Sequence, residues 1–381
     1  MFSSTKKLDP NLKSLLASSI IKEYRILIKY RNFPDSISKK IRSYHGNVIR
    51  RIESCNIICA QLKASSIQLL LEYPEVKYIC LDQYFTLCGM SISTANKIRL
   101  SSKLAIYGRG VSVGVIDSGV YPHRDLTYPF NRINTFVDLI NDLSYPYDDN
   151  GHGTHVSGIL AGDGTASGGK YKGAAPGCSI AALKVLDRFG NGSREDVMRA
   201  FRWIMEFGSI YHIRIVNISV GTTSRDHKEQ TDLLEGVEKL WDLGFVVVAA
   251  AGNQGPGAGT VTAPGSSRKI ITVGSSDMLN GRKAVSGRGP TFDCVCKPDL
   301  VAPGSQVIAC APGLPYSYGL KSGTSMSTPL VSGGIACLLE KDPRLSNVEV
   351  KMLLRENAED MGLPRNQQGW GKFNCEKLLA G

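Results

Sequence analysis

The chain has 381 residues, of which 42% are hydrophobic and 40 are glycine. This composition is typical of globular, turn-rich proteins and excludes disordered and fibrous ones, and the length allows one large domain and a smaller one. The net charge is +11, and residues 1–95 carry 14 Lys and Arg against 7 Asp and Glu. Nucleic-acid binding is one interpretation of this basic segment, but it lacks the aromatic interleaving and fold signatures of nucleic-acid readers, so a solvated face is favoured.

Residues 1–22 are polar with a weak helical pattern, and we expect them to form a loose arm. The lysines before Leu15 imitate a signal peptide, but the apolar part is short and is followed at once by Lys22 and Glu23. No apolar run approaches the roughly 18 residues of a membrane span. We therefore predict a cytoplasmic protein without a membrane partner, whose ten cysteines are mostly buried thiols without disulfides or zinc.

Strand and helix patterns alternate through residues 23–95. Strands are predicted at 24–30, twice within 47–62 and at 76–85, and helices at 34–44 and 65–73, the second with Ser66 as its cap. This order is that of the ferredoxin-like split βαβ unit. Ser, Thr and Asn residues at 90–99 then mark a boundary. We predict a small α+β domain at 23–95 and a second domain at 96–381.

Short β-branched runs alternate with amphipathic helices from residue 111 onwards. Uninterrupted apolar strands that are joined by helices predict an α/β fold with a mainly parallel sheet, buried on both faces. Ligands of such sheets bind beyond the carboxyl ends of the strands. The predicted strands are 111–116, 180–186, 215–219, 245–250, 270–274 and 307–311, and the main predicted helices are 194–207 and 232–243.

Acid and base groups stand at the ends of two of these elements. Asp117 follows an apolar strand and needs a hydrogen-bonding partner if it is buried, although Asp before Ser-Gly is also common in turns. His152 and His155 open an apolar helix after a glycine-rich turn. They could be metal ligands, but a third ligand at zinc spacing is missing; alternatively one is a general base and the other is structural.

Residues 323–329, GTSMSTP, place Ser325 at the start of an apolar helix of small residues. The helix dipole and its unpaired N–H groups favour negative charge there, which suits a nucleophile, while an N-cap is the plainer interpretation. Pro329 is expected in the first turn, where its missing N–H needs no partner. Asn253, at the end of AAAGN, is either a turn residue or a donor to an oxyanion.

Four stretches together resemble the signature motifs of the subtilisin-like serine proteases: VIDSG with Asp117, HGTHVSG with His152, AAAGN with Asn253 and GTSMSTP with Ser325. The resemblance covers about residues 95–381 and implies a three-layer subtilisin-like fold. It implies that Ser325 attacks the scissile carbonyl, that His152 transfers the proton and that Asp117 orients His152. Asn253 would complete the oxyanion hole.

The same resemblance implies a substrate site and a structural role for His155. A strand edge at 219–221 resembles the one that pairs with an extended substrate, and Thr262 falls where the family sets the depth of the pocket, which implies a medium-sized apolar or aromatic preference. The peptide bond before Pro264 resembles a cis bond of the family. The implied substrate-binding residues are Ser219, Val220, Gly221, Ala250, Ala251 and Thr262.

Calcium is the cofactor that the resemblance raises, because Asp125 stands where the family has one ligand. The loop 162–173 lacks the family's Asn-rich calcium-binding run, so we predict no cofactor and no metal. Residues 23–95 resemble the family's propeptide, which implies a precursor that inhibits itself and is cut by Ser325 between residues 82 and 98. The thiols and the missing export signal resemble intracellular bacterial members.

The predicted function is that of a serine endopeptidase acting on proteins or peptides. A second hypothesis is a catalytically silent regulatory or binding protein on the same fold, whose propeptide is never released; the four intact catalytic positions argue against it. A third, a basic nucleic-acid binder, would require a salt-dependent affinity that nothing else in the sequence indicates.

Overall fold

The structure, a computed structural model, describes residues 7–9, 12, 13, 16, 23–82, 84–87, 105–222, 227–281 and 284–380. Most of the predicted arm and the predicted boundary at 90–99 lie outside these ranges, so the domain limits stay predictions. The described arm residues contact the N-terminal sheet: Ile79 N–H donates to the Lys7 carbonyl at 2.8 Å, and Asp9 N–H donates to the Ile79 carbonyl at 2.9 Å. This part of the arm is attached, not loose.

Residues 23–82, here called the N-terminal domain, contain four strands and two helices. They are β1 (Tyr24–Tyr30), α1 (Pro34–Ser43), β2 (Asn47–Ile52), β3 (Ile57–Leu62), α2 (Ala64–Leu71) and β4 (Val76–Leu81), with a 3₁₀ turn at Glu53–Cys55. The strands form one antiparallel sheet in the order β2-β3-β1-β4. This order confirms the predicted ferredoxin-like fold, in which each βαβ connection skips one strand.

Two details of this domain differ from the prediction. Ser66 is not the cap of α2, because this helix begins at Ala64 after Lys63. The Ser66 hydroxyl instead donates to the Tyr44 carbonyl at 2.9 Å. The strand predicted at 76–85 ends at Leu81, and a separate strand begins at Tyr84. Sequence pattern did not reveal this break because the residues on both sides of it favour strands.

The N-terminal sheet is buried on both faces. Ile26, Ile28 and Ile58 belong to the domain's own core under its helices. Leu27 and Cys59, on the opposite face, belong to the core of the C-terminal domain, residues 105–380. Two buried faces explain why β1, β3 and β4 carry apolar residues at successive positions and not only at alternate ones.

The remaining strands and helices follow in chain order. The strands are β5 (Tyr84–Leu87), β6 (Ser112–Asp117), β7 (Ile133–Asp138), β8 (Ser179–Lys184), β9 (Gly192–Ser193), β10 (Ile213–Ile218), β11 (Val220–Thr222), β12 (Val246–Ala250), β13 (Ile271–Ser275), β14 (Leu300–Ala302), β15 (Val307–Cys310) and β16 (Tyr318–Lys321). The helices are α3 (Arg124–Thr127), α4 (His152–Ala161), α5 (Arg194–Phe207), α6 (His227–Asp242), α7 (Thr324–Lys341), α8 (Asn347–Glu356), α9 (Arg365–Gln368) and α10 (Cys375–Ala380), with 3₁₀ turns at Thr165–Ser167 and Ser276–Met278.

A parallel sheet of seven strands is the centre of the C-terminal domain, in the order β14-β13-β12-β10-β6-β8-β7. Every residue of β6, β12 and β13 is buried. Helix α7 packs on β10, β12 and β13, while α5 and α6 pack on each other and on β6 and β12. This architecture confirms the predicted three-layer α/β fold.

Several strands were predicted incorrectly or missed. Residues 307–311 were expected in the parallel sheet, but β15 pairs only with β16, antiparallel, in a separate hairpin. Strand β7 was missed because it lies at the sheet edge and only its two end residues are buried. Strand β14 has three residues, too few for a pattern. Helix α6 begins at His227, five residues before the predicted start.

No disulfide joins the cysteines of the described ranges. Cys59, Cys80 and Cys178 are among those that are buried, whereas Cys294 and Cys296 are exposed. Burial raises the pKa of Cys80 to about 12, so this thiol stays protonated and unreactive at neutral pH. As for membranes, none of the helices described has the length and apolar character that crossing a bilayer requires.

Candidate active site

Asp117 and His152 meet at the carboxyl end of β6. Asp117 is the last residue of that strand and is fully buried; His152 is the first residue of α4. His152 Nδ1 lies 2.8 Å from Asp117 Oδ1, which also accepts the Ser118 N–H at 2.8 Å. With Nδ1–H facing a carboxylate, Nε2 is the nitrogen that can accept a proton, and no group in the described ranges is hydrogen-bonded to it. Asp117 is therefore more than a turn residue.

Glycines allow strand and helix to approach each other here. A Cβ on Gly153 would overlap the Gly119 carbonyl oxygen and would lie 3.2 Å from the Asp117 Cβ. Gly151, which precedes α4, has φ 90°, in the left-handed region that favours glycine. The glycines of the NGHG turn thus place the His152 ring against Asp117.

His155 points away from this pair. Its Nε2 lies 3.0 Å from the Val307 carbonyl oxygen and 3.1 Å from that of Gly319, which ties α4 to the β15-β16 hairpin. Burial, helped by Lys321 and His152, lowers the pKa of His155 to about 3, so the ring is neutral at pH 7. The two histidines therefore face different partners, which does not fit the alternative of a shared metal.

Ser325 is the second residue of α7, whose N-cap is Gly323. Its hydroxyl is fully buried and donates to the Ser219 carbonyl at 2.9 Å. The helix begins where the sequence predicted, but Ser325 is not its N-cap. The hydroxyl lies inside the first turn, in the field of the helix N-terminus.

Pro329 lies in the second turn of α7, one turn later than expected. A proline at this position removes the N–H that would bond to the carbonyl four residues earlier, that of Ser325. The Ser219 hydroxyl donates to this carbonyl at 3.2 Å instead. A substitute donor thus makes the proline tolerable and binds Ser219 to both the main chain and the side chain of Ser325.

Asn253 is fixed to the start of α7. Its Oδ1 accepts the Thr324 N–H at 3.0 Å and the Thr324 hydroxyl at 3.2 Å. Thr324 Oγ1 also accepts the Gly252 N–H at 3.2 Å. Because the oxygen of the amide is turned towards Thr324, its NH₂ group is the part that can donate to a further acceptor.

The predicted substrate edge pairs with a segment of the chain itself. Strand β5 lies between β11 and β9 in an antiparallel three-stranded sheet. Val220 pairs with Leu87 and Gly221 with Thr86. Ser219, directly before β11, carries the carbonyl that the Ser325 hydroxyl contacts. Strand β5 therefore runs along the predicted edge towards Ser325.

Thr262 lines a cavity of about 310 Å³ together with polar and apolar neighbours. They are Gln230, Gln254, Gly259, Thr260, Val261, Ser266, Pro290, Thr291 and Phe292. Thr262 also packs against Gly252, and the Ala263–Pro264 bond is cis, as the resemblance implied. Ala250 and Ala251 are buried and do not line this cavity. The predicted preference for a medium-sized apolar or aromatic residue stays a prediction.

The surroundings of Asp125 do not suit calcium. Its carboxylate accepts the Tyr318 hydroxyl at 2.6 Å and the Ala166 N–H at 2.7 Å, and the Cys310 sulfur lies 3.9 Å away. His123 Nδ1, 4.0 Å from the carboxylate, already accepts the Asp125 N–H. Calcium prefers six to eight oxygen ligands, whereas these neighbours are hydrogen-bond donors, a thiol and an imidazole.

Sequence reasoning missed a group of polar residues behind the Asp117–His152 pair. Ser118, Asp148 and Lys184 are all buried there. The Lys184 ammonium donates to the Ser118 carbonyl at 2.7 Å, and the Ser118 hydroxyl donates to Asp148 at 2.9 Å. The signal available in the sequence was the lysine inside the apolar strand predicted at 180–186, because a buried lysine needs specific acceptors.

Comparisons of this chain with known proteins all point to the same family. Residues 108–371 match the model of the subtilase family, Peptidase_S8. Serine protease AprX of Bacillus subtilis (strain 168) is 33% identical over 373 residues, which cover 91% of this chain and 83% of that protein. Subtilisin Savinase of Lederbergia lenta is 33% identical over 269 residues, covering 71% of this chain and 90% of that protein.

A solved structure shows the same fold. It is that of fervidolysin from Fervidobacterium pennivorans, described as a keratinolytic enzyme related to subtilisin, with a TM-score of 0.71 at 21% identity. The match covers 94% of this chain but 61% of fervidolysin, so this chain spans less than two thirds of that protein.

Proposed function

This chain belongs to the subtilase family of serine proteases, and from that premise we propose that Asp117, His152 and Ser325 are its catalytic triad. The observation that carries the proposal is the 2.8 Å contact between His152 Nδ1 and Asp117 Oδ1. Ser325 supplies a hydroxyl at the start of a buried helix, and peptide bonds of proteins or peptides are the substrates.

In this mechanism Ser325 Oγ attacks the scissile carbonyl carbon while His152 Nε2 takes the hydroxyl proton. His152 then gives the proton to the leaving amine, and water releases the acyl group by the same steps. Asp117 keeps the proton on Nδ1 and stabilises the imidazolium. Because the Ser325 hydroxyl donates to the Ser219 carbonyl, attack requires it to turn towards His152 Nε2.

The negative oxygen of the tetrahedral intermediate needs donors that are already in place. We assign this role to Asn253 Nδ2 and the Ser325 N–H. The support is the orientation of Asn253, whose Oδ1 is held by Thr324. Loss of such a donor lowers kcat by about 10²–10³-fold, a magnitude that was itself established on subtilisin.

We further propose that the chain is a precursor that inhibits itself. Strand β5 follows the N-terminal domain and occupies the edge of β11, where an extended substrate would pair. Its register brings Leu87 opposite Val220, one residue from the carbonyl next to Ser325. Self-cleavage is therefore expected a few residues after Leu87, inside the predicted window of 82–98.

Intact mass tests both proposals at once. Wild type and Ser325→Ala are purified in parallel and incubated with a serine-reactive active-site probe. We expect the wild type to lose the N-terminal domain together with β5 and to carry one probe molecule, and the variant to stay full length and unlabelled. Removal of the nucleophile lowers kcat by about 10⁶-fold in subtilisin. Amino-terminal sequencing of the mature protein locates the cut.

A wild type that stays full length and unlabelled, even after mild proteolysis of the N-terminal domain, would contradict the enzyme proposal. The silent regulatory protein on the same fold would then be the better hypothesis. Labelling without shortening would keep the protease and reject only self-processing.

A further inference from the structure

Lys184 is a buried cation next to the triad. It ends β8, and its register partner on β6 is Asp117. The side chain is fully buried, which is unfavourable for an ammonium unless its N–H groups have acceptors. Nζ donates to the Ser118 carbonyl at 2.7 Å, the Leu186 carbonyl at 2.8 Å and the Asp149 carboxylate at 2.6 Å. All three N–H groups of the ammonium therefore have hydrogen-bond acceptors.

Ser118 connects this cation with both members of the Asp117–His152 pair. Its N–H donates to Asp117 Oδ1 at 2.8 Å. Its hydroxyl accepts the N–H of Gly153, the residue after His152, at 2.9 Å and donates to Asp148 at 2.9 Å. A shift of Ser118 would therefore move the carboxylate and the imidazole relative to each other.

Asp148 completes the connection at the start of α4. Its carboxylate accepts the N–H of Gly151 at 2.8 Å and the N–H of Thr154 at 2.8 Å. A carboxylate on the free N–H groups of a helix start is stabilising and fixes the direction of the first turn. His152 lies between these two residues, so its backbone is held from both sides.

We propose that Lys184 is a positioning residue for proteolysis, which acts through Ser118 on the geometry and the electric field of the Asp117–His152 pair. The inference rests on the function proposed for that pair. A fixed positive charge nearby opposes protonation of the imidazole. The Asp149 carboxylate, 2.6 Å from the ammonium and 36% exposed, partly offsets that charge.

Other ionisable groups also surround His152 in the described ranges. Asp117 contacts the ring from β6, and Asp148 accepts main-chain N–H groups on both sides of His152. His155 follows one turn later on α4, and Lys321 on β16 acts on His155. Neither substitution, at Lys184 or at Asp149, changes the identity of any of these residues. Any opposite effects of the two substitutions therefore arise from the Lys184–Asp149 pair.

The test compares Lys184→Met with Asp149→Asn, which remove opposite charges from one ion pair. For each variant, kcat/KM on a peptide substrate is measured as a function of pH. The concentration of active sites is determined by titration with the serine-reactive probe. We expect the acidic limb to move to higher pH in Lys184→Met and to lower pH in Asp149→Asn, each by up to about one pH unit. A purely structural lysine would reduce the active fraction without opposite shifts.

Shifts in the same direction, or no shift in either variant, would overturn the inference. If Lys184→Met fails to fold, Asp149→Asn decides alone, because its carboxylate is partly exposed and Lys184 stays in place. The same two substitutions in a Ser325→Ala background, with the His152 ring titration followed by NMR, require no proteolysis. A wild type that neither cleaves nor labels would thus refute the proposed function while the NMR shifts still test Lys184.

Discussion

The proposed catalytic centre and the contact between the two domains are held by different interactions. At the centre, Asp117, His152 and Ser325 are almost completely buried. Hydrogen bonds to main-chain groups hold Asp117 and Ser325, and Gly153 lies directly against Gly119. Such a site has no room for an added atom, and its geometry is fixed by the fold itself.

Across the domain contact, side chains of opposite charge meet. We call this surface the charged interface: Arg25, Lys29 and Arg50 of the N-terminal domain with Glu195 of α5 and Asp232 and Glu235 of α6. Glu195 forms ion pairs with Arg25 at 2.9 Å and with Arg50 at 3.1 Å, and Lys29 forms one with Asp232 at 2.8 Å. Burial raises the pKa of Glu195, so its ionised form depends on these cations.

The difference fits the proposed self-inhibited precursor, in which the N-terminal domain would leave while the proposed triad stays intact. Arg25 and Arg50 have side chains that are 41% and 39% exposed, so water and salt can replace their contacts with Glu195. The close contacts of the centre offer no such replacement. We therefore expect substitutions in the centre to abolish activity and substitutions in the charged interface to change its control.

Gly153→Ala should have the largest effect. The new Cβ would overlap the Gly119 carbonyl oxygen, and relief of such overlap shifts backbone at a cost of about 3 kcal/mol or more. We expect loss of probe labelling together with a lower midpoint of thermal unfolding. Gly257→Ala is the control, because its nearest contact would be Thr260 at 3.7 Å. Normal activity of Gly153→Ala would show that the centre is less rigid than described.

Glu195→Gln should have an intermediate effect and act on control alone. It leaves two arginines without their shared carboxylate, which weakens attachment of the N-terminal domain by about 1–3 kcal/mol after allowance for solvent exposure. We expect activity to appear sooner after purification of the full-length chain, with kcat of the mature enzyme unchanged. Glu206 lies on the same helix and is paired only with Arg202 among the described residues. In Glu206→Gln we expect activity to appear after the same delay as in wild type. An equal delay in all three proteins would contradict a role for the charged interface.

His155→Gln should have the smallest effect and concerns pH. The folded pKa of His155 is about 3, below the ordinary value of about 6.5, so the unfolded chain binds the proton first as pH falls. The stability contributed by neutral His155 is complete above about pH 6.5 and falls by about 1.4 kcal/mol per pH unit below it.

The measurement is thermal unfolding of the Ser325→Ala chain between pH 7 and pH 5. We expect His155→Gln to lower the midpoint at pH 7 and to make the decline towards pH 5 less steep. His45→Gln, at an exposed position of the N-terminal domain, is the control. Identical slopes with and without His155 would refute the assignment.

The fold and the triad motifs were predictable because both depend on local sequence. The strands and helices of the N-terminal domain have strand-like and helical sequence patterns, and their order alone gives the ferredoxin-like arrangement. Asp117 and His152 stand at a strand end and a helix start, and parallel strands bring such ends to one edge of a sheet. The order of the motifs predicts that Asp117 and His152 are partners. The distance of 2.8 Å between Nδ1 and Oδ1 required the structure.

Pairing between distant segments was not predictable. Strands β4 and β5 look like one run, yet β4 pairs with β1 and β5 with β11 and β9. Residues 307–311 have the composition of a buried parallel strand but form a hairpin with β16. Strand composition reports burial, and it does not report which edge a strand meets.

The sequence by itself determined the fold class, the family and the residues of the proposed triad, because short motifs and local periodicity are enough to identify each of them. Only the tertiary structure decided that Ser219 supplies the donor missing at Pro329, that Lys184 lies behind Asp117, and that β5 occupies the edge of β11. These contacts join residues far apart in the chain. Whether a buried polar group finds its partner depends on how the elements pack, and local pattern carries no information about that.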